Sequence, residues 1–312
     1  MTLSQVRKET VPAELAGQRI DNYLLRILKG VPRTRIYRLL RRGEVRVNSG
    51  RVKPTHRLQA GDEIRIPPVR RIESESVSPS DRVLADLETR ILHEDKRLLV
   101  IDKPAGLAVH GGSGIAYGVI ESLRQLRPDC QLLDLAHRLD RGTSGCLVIA
   151  KRRSTLRELH EAFRKGTVEK RYLALVAGHL EAVRRRVDAP LRAQTGKGGE
   201  RIMVVHPEGQ PARTDFIQKE SYRGWSLVQA VPRTGRMHQI RAHAAHIDHP
   251  IAMDERYGDR NRDQALRNLG LKRLFLHAES IRFDLDSTGP INIWAPLPAA
   301  LQTLTEQLNH AG

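Results

Sequence analysis

Residues 19–53 carry eleven Lys or Arg against two acids, Asp21 and Glu44, so over half of the chain's +17 excess sits in about a ninth of its 312 residues. A segment that charged can fold only if its cations share a solvent face and its apolar residues share another. The spacing allows this. Ile20, Tyr23, Leu24, Ile27 and Leu28 recur at i, i+3, i+4, i+7, i+8, which predicts a helix with one buried stripe. After a break at residues 30–32, Ile36, Leu39 and Leu40 predict a second helix with Arg35, Arg38 and Arg42 on another face. Gly43 closes it. Residues 44–48 alternate as a strand, Ser49-Gly50 and Gly61-Asp62 read as turns, and residues 63–66 read as a further strand. Two short helices and a small sheet make a basic module. A run of cations is often only a solvated face. Here Arg outnumbers Lys nine to two, and guanidinium groups suit bidentate contact with phosphate.

The stretch AGQRIDNYLLRILKGVPRTRIYRLLRRGEVRVNSGRVKPTHRLQAGDEIRI, residues 16–66, resembles the S4 RNA-binding domain over essentially its whole length. The resemblance implies RNA contact through Arg35, Arg38, Arg42 and Lys53, and residues 16–67 are expected to be this domain. A polyanionic partner fits the net charge. A membrane partner does not: the longest apolar runs, such as 147–150 or 173–177, fall far short of the roughly 20 residues a span needs. Residues 1–13 lack the apolar stretch of a signal peptide, and two cysteines, Cys130 and Cys146, give neither a disulfide framework nor a Cys-based zinc site. The expectation is a cytoplasmic protein.

Residues 68–89 follow Pro67 with Pro68 and continue as a polar, aperiodic run, which reads as a linker. The remainder, residues 90–305, is long enough for a second domain, and 39% hydrophobic residues can supply its core. Strand-like segments at 98–102, 146–150, 172–177, 225–231 and 274–283 mix with helical ones at 116–127, 154–165 and 238–247. Several strands follow one another without an intervening helix, so the fold class is α+β.

Four places could hold chemistry. The segment HGGSG (110–114) lacks both a Gly-Lys-Ser/Thr and a GxGxxG spacing, so a turn is the better reading than a phosphate loop. Ser113 and Ser144 have no GxSxG elbow. His243 and His246, three apart, could share a helix face as metal ligands, but no HExxH accompanies them, and the expectation is no metal. The densest polar segment is AHRLDRGTSGCLVIAK (136–151), where Asp140 lies between Arg138 and Arg141 in front of a strand-like run. Cations beside a carboxylate favour its ionised form, and a plain ion pair with a turn would satisfy the same pattern.

The motif HRLDRGTSGCLVIAK resembles the catalytic motif of the RluA family of pseudouridine synthases. KPAGLAVH, KRYLALV, GRMHQIR and LFLHA resemble that family's other motifs in the family's order. HGGSG and RYGDR, together with the S4 module, resemble its branch acting on large-subunit ribosomal RNA. What the resemblance implies is an α+β fold: a small S4 domain and a catalytic domain with a mixed, largely antiparallel sheet. It implies isomerisation of uridines in 23S ribosomal RNA without small-molecule cofactor or membrane, with the monomer as default. Asp140 would be the catalytic carboxylate, attacking ribose or uracil or acting as a base; the residues leave these open. Arg241 would pair with Asp140, Tyr172 would stack on the uracil, and Arg138 would fill the place of a flipped base. Gly142 and Met237 depart from the family's usual Asp and Thr, which bears on substrate choice. Transfer RNA as substrate, or a non-catalytic S4-type ribosome assembly factor, are the alternatives.

Overall fold

The computed structural model describes residues 6–28, 30–69, 78–112, 115–196 and 199–310, and the backbone divides into two units, Met1–Val77 and Ser78–Gly312. The amino-terminal unit runs β1 (Arg7–Thr10), a 3-10 turn (Ala13–Leu15), α1 (Ile20–Ile27), α2 (Arg33–Arg42), β2 (Arg46–Val47), β3 (Gly50–Arg51) and β4 (Glu63–Ile66), with sheet order β1-β4-β2-β3. The expected stripes are the buried ones, except that Ile27 of α1 is only partly buried. Ile20, Tyr23, Leu24 and Leu28 of the first helical segment and Ile36, Leu39 and Leu40 of α2 are at most 2% exposed. They form one core with Val45, Ile64 and Ile66. Asp21, 1% exposed, accepts from Arg19 Nη2 at 2.6 Å and the Tyr37 hydroxyl at 2.8 Å, so it ties α1 to α2. Burial pushes this carboxyl up, and Arg19 and Tyr37 outweigh it, leaving it below its ordinary value. Gly43 ends α2 with φ 69°, a left-handed conformation that glycine enters without strain.

Three sequence expectations for this unit shift. Its sheet begins before residue 16, because β1 pairs antiparallel with β4, Arg7 opposite Ile66; RKET is too short and polar to announce itself as a strand. Val11 and Val69, each 1% exposed, belong to its core, so residues 16–67 are too narrow a boundary. The hairpin turn falls on Asn48 and Ser49, both at positive φ (46° and 67°), with Gly50 already in β3. Two consecutive positive φ values suit the twist of a two-residue hairpin.

The second unit runs α3 (Asp81–Thr89), β5 (Ile91–Glu94), β6 (Leu98–Lys103), α4 (Val119–Leu126), β7 (Asp134–Leu135), β8 (Ser144–Ala150), α5 (Arg153–Lys165) and β9 (Glu169–Ala177). It continues with β10 (Arg184–Asp188), β11 (Leu191–Thr195), β12 (Arg201–Val205), β13 (Arg213–Tyr222), β14 (Trp225–Pro232) and α6 (Gln239–His246). It ends with α7 (Gln264–Asn268), β15 (Leu276–Leu285), β16 (Gly289–Trp294) and α8 (Ala299–His310). A ten-stranded sheet follows the order β10-β13-β14-β9-β15-β8-β6-β5, with β16 on β15 and β7 on β8, while β11 and β12 form a separate hairpin. Its pairings are antiparallel except one: β15 meets β8 in parallel through His277–Ser144 and Ala278–Gly145. Gly145 has φ 108°, and a Cβ there would collide with the Ala278 carbonyl, so the approach of these strands requires glycine. The fold is α+β with a largely antiparallel sheet, as expected.

Every residue of β6 and β8 is buried, which requires cover on both faces. Cys146, Val148 and Ala150 pack with Leu159 and Ala162 of α5, whereas Leu147 and Ile149 pack with Leu87 of α3 and Val119 and Leu123 of α4. In the other half of the sheet, Ala174 and Val228 face Ile240 and Ala244 of α6, and Leu175 and Leu227 face Leu301 and Leu304 of α8. Two boundaries are corrected by this packing. Residues 81–89 of the expected linker form α3, whose Leu87 is fully buried; residues 70–77 of that linker lie outside the described residues. The second unit runs past 305, because α8 continues to His310 and buries Leu308. Among the described residues no helix is long and apolar enough to cross a membrane.

Candidate active site

β7 and β8 are joined by the loop that holds Asp140, and the loop is fixed from below. Lys103, 0% exposed at the end of β6, donates from Nζ to the carbonyls of Pro104 and Leu107 at 2.8 Å and of Arg141 at 3.3 Å. Burial pulls its ammonium down to about 7. Arg273, before β15, donates from Nη2 to Ser144 Oγ at 2.8 Å and reaches the Gly142 carbonyl at 3.5 Å. His137 accepts the Val148 N–H at its Nε2, 3.0 Å away, and burial pushes that imidazole well below its ordinary range. The loop therefore presents Asp140 from a rigid base.

Opposite it stands α6. Its entry turn is held by Gln239, whose amide oxygen accepts from the Thr234 hydroxyl at 2.6 Å and the Arg236 N–H at 3.0 Å. Its amide nitrogen donates to the Arg213 carbonyl at 2.9 Å and Thr214 Oγ1 at 3.0 Å. His238 precedes the helix in a left-handed conformation (φ 51°) and Arg241 lies three residues on, and both side chains reach toward Asp140. Arg241, 8% exposed, donates from Nη1 to Asp140 Oδ2 at 3.0 Å and, through Nε and Nη2, to both oxygens of Asp254 at 2.7 Å. Burial lowers its pKa, and the two carboxylates outweigh that and hold it above the ordinary value. Asp254, 3% exposed, is itself fixed by the N–H groups of Arg256 and Tyr257.

Tyr257 completes the arrangement. Its ring lies 5.1 Å from the Arg241 guanidinium carbon, within cation–π range. Its hydroxyl oxygen accepts the Met203 N–H at 2.7 Å and lies 2.9 Å from His238 Nδ1. With one lone pair taken by the Met203 N–H, the hydroxyl is placed to donate to Nδ1, which puts the proton of the neutral His238 ring on Nε2. That nitrogen is 3.8 Å from Asp140 Oδ2. Burial lowers the imidazole pKa, which keeps it neutral.

Asp140, His238 and Arg241 line a cleft of about 730 Å³ together with Arg138, Phe163, Lys170 and Tyr172, while Asp254 and Tyr257 stand behind it. Seven Lys or Arg line it (138, 164, 165, 170, 233, 236 and 241), against one carboxylate, Asp140, among the described residues. Tyr172 comes from β9, opposite Ala230 of β14. Burial, then the nearby Asp140, pushes its hydroxyl up, so it stays protonated. Arg138 is exposed at the lip. Lys170 Nζ, 5.8 Å from the Phe163 ring centre, is pulled down to about 8 by burial. The cleft thus offers one carboxylate, an aromatic face and a polycationic wall, which suits a flat base on a phosphate-linked chain.

The structure brings Asp140, Tyr172, Arg241 and Arg138 into this one cleft. Arg35, Arg38 and Arg42 line a groove of about 930 Å³ in the amino-terminal unit, together with Arg41, which the sequence reading did not single out. Lys53 is exposed but does not line that groove. His243 bonds through both ring nitrogens, to Thr214 Oγ1 and the Ala189 carbonyl, each at 2.9 Å, while His246 is exposed. Among the described residues no group of three or more potential ligands could hold a metal. In HGGSG, Ser113 and Gly114 lie outside the described residues, and the Gly111 N–H donates to Glu121, a carboxylate where a phosphate loop needs none. Met237 lines the cleft, and a Cβ on Gly142 would touch Leu274 at an ordinary 3.5 Å, so a larger residue there meets no steric bar. The sequence reading missed His238, Asp254 and Tyr257. RYGDR, quoted for its resemblance, contains Tyr257 and was the available signal; Asp254 had none.

Residues 97–246 match the family model described as RNA pseudouridylate synthase, and residues 18–64 match that of the S4 domain. The chain is 52% identical to "Ribosomal large subunit pseudouridine synthase C" of Pasteurella multocida (strain Pm70) over 302 residues, 96% of this chain and 93% of that protein. It is 50% identical to the protein of the same name from Escherichia coli (strain K12) over 311 residues, 98% of each. Among solved structures, "Human RNA Pseudouridylate Synthase Domain Containing 4" aligns with a TM-score of 0.61 and 29% identity, covering 73% of this chain and 96% of that one.

Proposed function

The chain belongs to the RNA pseudouridine synthase family, and from that premise we propose that it converts uridines of large-subunit, 23S, ribosomal RNA to pseudouridine, with Asp140 as the catalytic carboxylate. The reaction breaks the bond between uracil N1 and ribose C1′, turns the base, and joins C5 to C1′. The C5 proton leaves and N1 gains one, so nothing is added or lost overall. The observation that carries the reading is the composition of the cleft: one carboxylate, held by Arg241, in a wall otherwise of cations. Glycoside hydrolysis normally needs two carboxylates flanking the bond. An isomerase needs one, because water is not a substrate.

In this reading Arg241, clamped by Asp254, holds Asp140 toward the base or sugar without rotational freedom, a proximity effect. The exchange of a proton at C5 and N1 late in the cycle falls to Tyr172, whose ring supports the uracil. Arg138 at the lip fills the stack that the flipped nucleotide leaves, against an unstacking cost of a few kcal/mol. Asp140 as nucleophile on ribose, as nucleophile on uracil, or as base fits the same position. The S4 unit supplies affinity through Arg35, Arg38, Arg42 and Lys53. The cleft that holds Asp140, Tyr172 and Arg241 is complete within one chain, so the reading needs no second copy and takes the monomer as default. Precursor large-subunit RNA in the cytoplasm is the substrate that this pairing of units fits.

The test incubates wild type and Asp140→Asn with protein-free 23S RNA lacking pseudouridine and maps the product by carbodiimide labelling and primer extension. Stops with wild type alone are expected. Stops from both proteins would remove Asp140 from the mechanism, and stops from neither, with transfer RNA modified instead, would move the substrate.

A further inference from the structure

β10 is the edge of the large sheet and pairs with β13 so that Arg186 faces Asp215. Arg184 lies two residues along the same face. Arg233, just past β14, comes to the same carboxylate: β13 and β14 set Asp215 opposite Val231, two residues before it. Asp215 is 1% exposed. Arg184 Nη2, Arg186 Nε and Arg233 Nε each donate to it at 3.0 Å, while all three arginine side chains remain about half exposed. Burial pushes the Asp215 carboxyl up, and the three guanidinium groups outweigh this and hold it at about 2. One anion therefore organises three cations and leaves the cluster at +2.

Charge alone on an edge strand can serve to prevent sheet-to-sheet association. That purpose needs no buried carboxylate and no convergence of two arginines of β10 with a third from beyond β14. A shared, buried acceptor fixes three flexible forks in one place before any ligand arrives, which removes much of the ordering cost of binding. Arg186 and Arg233 commit only Nε to Asp215, so their terminal nitrogens, the pair that matches two phosphate oxygens, are not spent on it. Arg233 also lines the cleft that contains Asp140.

We propose that Arg184, Arg186 and Arg233, gathered by Asp215, form a phosphodiester-binding site that grips the RNA strand beside the cleft. The proposal rests on the RNA-modifying reading for the identity of the strand. Full-length Arg184→Gln/Arg186→Gln protein is titrated with 23S RNA lacking pseudouridine at several salt concentrations, beside wild type and a control with the same charge loss, Lys219→Gln/Arg223→Gln. Two lost contacts to an unpaired strand should lower the slope of log K against log salt by about 1.4 and weaken binding about tenfold at moderate salt. A slope and affinity equal to those of the control would overturn the site. Asp215→Asn sharpens the test, since it removes a negative charge yet frees the three forks. Weaker binding than wild type supports the organised site, and tighter binding shows that charge alone acts there. Because Asn at this buried position also perturbs packing, the exposed double variant decides. Pseudouridine is scored in the same wild-type reactions: its absence would count against the modification reading, whereas the salt slopes test the arginine site by binding alone.

Discussion

In α2 of the amino-terminal unit, Arg35 and Arg38 line a groove and have no carboxylate within ion-pair distance among the described residues. In α6 of the second unit, Arg241 is 8% exposed and bonds to two. The same side chain serves two ends. An exposed arginine keeps its hydration and its rotamers, so it adds long-range attraction that salt screens. A buried arginine with each of its three nitrogens bonded to a carboxylate has lost that attraction and become a ruler that fixes where Asp140 stands. Affinity and positioning thus draw on different environments of one chemical group, and variants should separate them.

The largest expected effect is on chemistry. Asp140→Asn should lower the single-turnover rate by about 10⁴-fold or more, while its dissociation constant for 23S RNA stays within about threefold by filter binding; a large loss of affinity would erase the distinction between the two regions. Asp254→Ala should come next. It leaves Arg241 buried with one partner, at a cost of about 3 kcal/mol, seen as a melting temperature lowered by about 6–12 °C together with slower turnover. Arg35→Gln/Arg38→Gln/Arg42→Gln should instead leave melting near the wild-type value and reduce the salt slope of RNA binding by about 2–3. Wild-type slope in that variant would take the groove out of RNA binding.

Acid should part the regions again. Burial holds His277 down at about 4, and an unfolded His titrates near about 6.5. Between those values the unfolded chain binds a proton that the folded unit does not, so the second unit loses stability as pH falls from about 6.5 to 4 and keeps it above. His137, His238 and His243 are shifted the same way by burial. The amino-terminal unit relies on Asp21, whose lowered carboxyl contributes above its unfolded value and is lost only below about 4. Both tryptophans, Trp225 and Trp294, lie in the second unit, so their fluorescence should change through the upper window. A transition confined to below pH 4 would refute the ordering. Smallest of all, Gly43→Ala should cost the amino-terminal unit somewhat more than about 1 kcal/mol, read by chemical denaturation, because alanine disfavours φ 69° and its Cβ would displace the Arg51 side chain.

How much of this was legible follows from how each residue earns its place. α1 announces itself because its apolar residues recur with the helical period, and β8 because it is a short unbroken apolar run. β10 does not: RRRVD is an edge strand with one buried residue, and its arginines obey Asp215, a residue nearly thirty positions away. α3 hid in a polar segment because only Leu84 and Leu87 of its nine residues are buried. Asp140 was visible through its motif, and Arg241 and Tyr172 through theirs, but Asp254 and Tyr257 act by contacts that local spacing does not encode.

The single parallel junction of β15 with β8 divides the sheet into two antiparallel halves. Asp140 precedes β8 on one side of it; Tyr172 and Arg241 belong to the other. Each half can satisfy its own strands before the junction closes, yet neither half alone owns a working centre. If the proposed roles of Asp140, Tyr172 and Arg241 hold, catalytic competence becomes a readout of completed assembly: a nascent or partly unravelled chain would hold RNA through its basic surfaces and still be chemically silent.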